Sequence, residues 1–160
     1  MKRILHAMMT AMLCCGAFMF TSCGDDDITV DRDYTSVHYT VTPGIGLMKF
    51  YTIKAYYTDF NGVDHEEEVK DVTTWEYREK KEGTHKIQCR VVATVKSKEE
   101  YGEIDASAYD FNWEYSIHWY KKEGGAHSEQ PITSPNYISK DNVPSYLEAH
   151  PAITLISFNK

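Results

Sequence analysis

Apolar and polar residues alternate with a period of two along most of this chain, the pattern of strands that bury one face. From Tyr34 to Val41, residues Thr35, Val37, Tyr39 and Val41 share a side, and Pro43-Gly44-Ile45-Gly46 predicts a break. Leu47 to Thr58 reads as a second strand, with Leu47, Tyr51, Ile53, Ala55 and Tyr57 on one face and Phe50 and Tyr56 on the other. Asp59-Phe60-Asn61-Gly62 predicts a hairpin turn, because Asn-Gly accepts positive φ. The returning strand starts near Val63 and is interrupted by Asp64-His65-Glu66-Glu67-Glu68. It resumes from Val69 to about Glu79, with Val69, Thr73, Trp75 and Tyr77 inward.

After a turn at Lys80-Lys81-Glu82-Gly83, Thr84 to Lys96 has the cleanest alternation, with Ile87, Cys89, Val91, Ala93 and Val95 facing in. Residues 97–105 read as a loop. Ser107 to Lys121 then alternates for a length unusual in one strand. Tyr109, Phe111, Trp113, Tyr115, Ile117 and Trp119 fall on one side; Asp110, Asn112, Glu114, Ser116 and His118 fall on the other. That length predicts a bend, a bulge or a passage from one sheet to another. Residues 123–136 form the longest irregular stretch. Residues 141–150 predict a short helix with Asn142 or Val143 as its cap and Pro144 in its first turn, stopped by Pro151. Ala152 to Phe158 is the last strand.

Six or seven strands joined mostly by turns, with little helix, predict an all-β fold. The expected architecture is an antiparallel two-layer β-sandwich, immunoglobulin-like in the broad sense, with one short C-terminal helix. A lipocalin-like β-barrel is the alternative.

The front of the chain has a different pattern. Lys2 and Arg3 precede an apolar run from Ile4 to Phe20, and the small residues Thr21 and Ser22 stand before Cys23. This is the layout of a secretory signal peptide. Phe20-Thr21-Ser22-Cys23 resembles the lipobox of bacterial lipoproteins, with Phe where Leu is usual. The resemblance covers only about residues 1–23. It implies cleavage before Cys23, fatty acylation of its thiol (the palmitate type of anchor) and attachment to the membrane through that lipid. Asp25-Asp26-Asp27 resembles the short acidic export signals of Bacteroides-group lipoproteins, which implies display on the outer face of the outer membrane. A periplasmic face is the alternative location. The expected organisation is a signal peptide at 1–22, a lipid anchor and tether at 23–33, and a single β domain at 34–160.

Charge narrows the partners. Losing Lys2 and Arg3 reduces 17 Lys+Arg to 15 against 24 Asp+Glu, so the formal charge moves from −7 to −9. An acidic domain repels phosphate backbones, which argues against nucleic acid. Of the four cysteines, Cys14 and Cys15 lie in the signal and Cys23 takes the lipid, so Cys89 is left without an intramolecular disulfide partner. It reads as a small buried hydrophobe.

No Gly-x-Ser-x-Gly occurs, and the histidines show no zinc spacing. No catalytic set, metal site or cofactor site is therefore expected. Asp59, Asn61 and Asp64 near the acidic run raise cation binding, but the spacing is not that of an EF-hand. The bland reading is an acidic rim that protects an edge strand. The three Trp are expected in the core. Phe50, Tyr56 and Tyr120, off the main apolar rows, are the candidates for exposed binding contacts. The expected function is a non-enzymatic binding or interaction module at the outer membrane, with a protein or glycan partner in the cell envelope. A periplasm-facing structural or assembly component and a carbohydrate-binding accessory protein are the alternatives.

Overall fold

The computed structural model describes residues 33–130 and 136–160. The signal-like segment, Cys23 and Asp25-Asp26-Asp27 lie outside the described residues. The strands are β1 (Tyr34–Pro43), β2 (Tyr51–Thr58), β3 (Asp64–Val69), β4 (Trp75–Glu82), β5 (Gln88–Val95), β6 (Ala108–Asp110), β7 (Trp113–Lys121), β8 (Gly125–Glu129), β9 (Tyr137–Ser139) and β10 (Ala152–Asn159). Three short helices join them: α1 (Ile45–Phe50), α2 (Lys98–Tyr101) and α3 (Val143–Ala149).

Two four-stranded sheets, ordered β4-β1-β7-β8 and β10-β5-β2-β3, pack against each other. β6 and β9 form a separate two-stranded ribbon. Every pairing is antiparallel. The two large sheets keep open edges, so the fold is a β-sandwich and not the closed barrel.

Alternation builds the core. Thr35, Val37, Tyr39 and Val41 of β1 are buried, as are Cys89, Val91 and Ala93 of β5. Aromatic rings join the layers: Phe158 of β10 lies 6.4 Å from Tyr39 and 4.8 Å from Trp119, and Tyr57 of β2 lies 4.1 Å from Tyr77 of β4. The indole Nε1 of Trp113 also donates across the layers to the Leu155 carbonyl at 3.2 Å. The three Trp are only partly buried, each packed against the core cluster. Complete burial of a large apolar side chain stabilises by roughly 1.5–3 kcal/mol. Closure of the sandwich therefore owes most to the fully buried aromatics.

The structure corrects several expectations. Leu47 to Thr58 is not one strand: α1 comes first, and β2 starts only at Tyr51. Leu47 and Phe50 are both buried at a spacing of three, which suits a helix and not a strand. Phe50 is accordingly fully buried, against Phe111 at 5.7 Å and Tyr109 at 4.9 Å, and offers no surface contact. The charged run does not interrupt a strand; it forms β3 itself, paired to β2. Between β3 and β4 the chain leaves one sheet for the other, so Thr73 is exposed in the crossing. Residues 98–101 form a helical turn with a capping box from Ser97 to Glu100, and 125–129 form β8.

Other expectations match the structure. Ser107 to Lys121 divides into β6 and β7, which belong to different sheets. The helix near the C-terminus has Asn142 as its cap and Pro in its first turn.

Candidate binding surface

Register decides which polar side chains meet. Tyr56 projects from β2 on the outer face of its sheet, opposite Glu66 of β3 and Arg90 of β5, and is 38% exposed. Tyr120 projects from β7 on the outer face of the other sheet, where it is partly buried. With Phe50 in the core, the three predicted contact residues do not form one site. Tyr120 alone lies in the groove described next.

The groove, of about 690 Å³, runs over the outer face of β4, β1, β7 and β8. His38 at its centre is flanked by Arg78 on β4 and His118 on β7, and Ser128 on β8 extends the row. One rung further, Ser36 stands between Lys80 and Tyr120. Tyr34 closes that end, its ring 4.7 Å from Tyr120, with the Lys80 ammonium 4.1 Å above it. Val37, Glu79 and Trp119, which lie between these positions in sequence, also border the groove. Glu79 points between the layers, where its Oε2 accepts from Tyr77 Oη and from the Phe60 N–H at 2.8 Å.

The two histidine rings lie 5.9 Å apart and nearly parallel. His38 Nε2 is buried without a hydrogen-bond partner, and Glu76 Oε2 is 3.6 Å away, within ion-pair range only. Burial lowers the His38 pKa from 6.5, with Arg78 adding to the effect and Glu76 opposing it. Glu76 is itself held by Arg78 at 2.5 Å. The outer face thus presents imidazoles, hydroxyls, two phenol rings and the cations Arg78 and Lys80, with the carboxylates Glu76 and Glu82 at the two ends of the same β4 row.

The open side between β3 and β4 is closed differently. Glu67 points inward and accepts from Tyr57 Oη at 2.5 Å and Trp75 Nε1 at 2.8 Å. Those hydrogen bonds lower its pKa. Asp59 accepts the N–H groups of Asn61 and Val63 at 2.8 and 2.9 Å and faces His65 Nε2 at 3.1 Å. Its pKa falls to about 2, chiefly through the Val63 N–H. These carboxylate oxygens are committed to the hairpin. Among the described residues, no group of three or more His, Cys, Asp or Glu is placed to hold a metal ion.

Cys89 is buried, and desolvation pushes its thiol up to about 12, which removes it as a nucleophile. Asp110 turns back on its own corner, its Oδ1 accepting the Asn112 N–H at 2.9 Å. Among the described residues no helix is long and apolar enough to cross a membrane.

Sequence reading missed His38, Arg78 and Lys80 as groove residues. Alternation places Arg78 off the buried row of β4, but it predicts a turn at Lys80, whereas β4 runs on to Glu82. What it lacks is the register that sets them beside β1, some forty residues earlier in the chain. The chain matches no protein-family model, no curated protein and no solved structure. Fold and surface together define an antiparallel β-sandwich with an open polar-aromatic groove on one sheet.

Proposed function

We propose that this chain is a cell-envelope lipoprotein, anchored by lipid on Cys23, whose β-sandwich is a non-enzymatic binding module displayed at the outer membrane. The observation that carries this reading is Phe20-Thr21-Ser22-Cys23 followed, after Gly24, by Asp25-Asp26-Asp27. Lipid on Cys23 supplies the membrane attachment, and residues 24–33 then span at most ~35 Å. The groove over β4, β1, β7 and β8 is the surface offered to a partner in the cell envelope. Its tyrosine rings and hydroxyls favour a glycan, because flat rings stack on sugars while hydroxyls set orientation.

Antibody labelling of intact cells tests the display. Wild-type cells should label without permeabilisation, and changing Asp25, Asp26 and Asp27 to Ala should sharply reduce that signal. Labelling that requires permeabilisation of wild-type cells would move the module to the periplasmic side and favour a structural or assembly role.

A further inference from the structure

We propose that β10 is an open edge that takes one extended segment of a partner protein as an added strand, in the place beside β10 and beneath β8. This surface is separate from the groove and does not depend on the anchor at Cys23.

The two sheets are out of step on this side. Trp119 of β7 packs on Phe158 of β10, and Trp113 of β7 donates to the Leu155 carbonyl, so β7 lies over β10. β10 is the last strand of its sheet, whereas the other sheet continues from β7 to β8. All five residues of β8 are exposed. His127 and Glu129 share the inner side of their sheet with their pairing partners Trp119 and Ile117. β8 therefore roofs a place one strand wide, about 4.8 Å from β10 and about 10 Å below β8. The backbone of β10 faces that place. Ile87 and Lys160 exchange both backbone hydrogen bonds at 2.9 Å. By the alternation of an antiparallel ladder, Phe158 and Ile156 also turn their backbone groups toward β5, while Ser157 and Asn159 turn theirs to the open side. A bulge between Thr154 and Ile156 confines the addition to the stretch from Ile156 onward. Residues 152–159 carry no charge. The edges at β3 and β4 are guarded instead, by Glu66, Glu67 and Glu68 and by Arg78, Glu79 and Lys80.

A second copy of this chain does not fit there. Pairing β10 antiparallel with its own copy requires a two-fold axis perpendicular to the sheet, and that axis carries the copy's β7 into the place of β8. A lone segment brings no second layer and meets no such clash. It runs antiparallel to β10, as every pairing in this fold does. Its inward side chains then lie under the Trp119–His127 ring pair, whose centroids are 4.9 Å apart, and beside Glu129. Glu129 makes no ion pair among the described residues. The fitting segment therefore alternates apolar and polar residues, with its apolar side inward and a Lys or Arg in reach of Glu129.

The test is amide hydrogen exchange of the full chain in detergent, read residue by residue by NMR, with a short amidated peptide that alternates Thr and Val and carries Lys at each end. Without peptide, Ser157 and Asn159 should exchange freely while Ile156 and Phe158 are protected. Saturating peptide should slow Ser157 and Asn159 by about tenfold or more. In an antiparallel pair with Val inward, the Thr N–H groups face β10. N-methylation of the Thr residues should therefore abolish the slowing, and N-methylation of the Val residues should leave it within about twofold. Ser157→Pro removes a donor that β5 does not use, so it should abolish peptide binding with unchanged far-UV circular dichroism. Glu129→Lys should weaken binding several-fold. The two N-methylated peptides decide the matter even where Ser157→Pro does not fold. Absence of slowing, or equal behaviour of the two N-methylated peptides, would overturn the assignment. So would protection of Ser157 and Asn159 that rises with protein concentration in the absence of peptide, because it would put a second copy on this edge.

Discussion

At the scale of single residues, the most informative side chain is Glu67. It sits on an edge strand yet points between the sheets, and an inward charge is one way to deter further strand pairing. Its oxygens accept from Tyr57 and Trp75, so Glu67→Ala removes the acceptor of both donors. Because the site is partly open to water, a loss of ~1 kcal/mol is expected in urea unfolding. The same bonds make stability depend on pH. The folded state holds this carboxyl below 4.5, so it binds protons less readily than the unfolded chain. The contribution is therefore present above pH 4.5 and is lost as pH falls through the lower folded pKa. Glu67→Gln should flatten that part of the acid limb. His38 acts in the same direction at higher pH. Its folded pKa is below 6.5, so acidification through 6.5 favours the unfolded state. An NMR titration should find its midpoint below 6.5, and a midpoint above it would mean that Glu76 outweighs burial.

The elements show what alternation can and cannot reveal. The buried faces of β1 and β5 were legible, because each alternates with few exceptions, although β5 is shorter than the 84–96 predicted and β1 runs through Pro43. α1 was not, since six residues after Pro43 give too little sequence to separate a period of three from a period of two. The clue was Gly46. A Cβ there would lie 2.5 Å from the Asp110 carbonyl oxygen, and one at Gly44 would lie 2.8 Å from that same atom. Both glycines let α1 settle on the β6–β7 corner, where the Gly44 N–H donates to the Asn112 carbonyl at 2.8 Å. Gly46→Ala should cost about 1–3 kcal/mol in urea unfolding, since backbone has to move. Gly124→Ala, whose nearest neighbour is the Lys121 Cβ at 4.0 Å, should stay within about 0.5 kcal/mol. Equal effects at the two positions would remove the packing argument.

For the whole molecule, the two-layer sandwich was legible while the partnering of its strands was not. Short turns predict which strands follow one another, and Asn61-Gly62 did identify the β2–β3 hairpin. The crossings at 70–74 and after β5 carry no comparable signal, so β1 finds its neighbours β4 and β7 only through register. That is why Tyr120 could be named as a contact residue while the cations and histidines beside it could not. It also explains why Phe50, read as a strand residue, was placed on the surface. Phe158 tests the layer contact: its ring meets both Tyr39 and Trp119 from the opposite sheet, and Phe158→Ala should cost about 3 kcal/mol or more.

The reading of this sandwich as an envelope module turns on its attachment to the membrane through Cys23. Metabolic labelling with an alkynyl fatty acid, followed by membrane fractionation, measures it directly for the wild-type chain and for Cys23→Ala. The wild type should carry label, run as a shortened form and sediment with outer membranes. Cys23→Ala should be unlabelled and retain residues 1–22. Label on the variant, or normal shortening and outer-membrane sedimentation without Cys23, would refute anchoring through that residue.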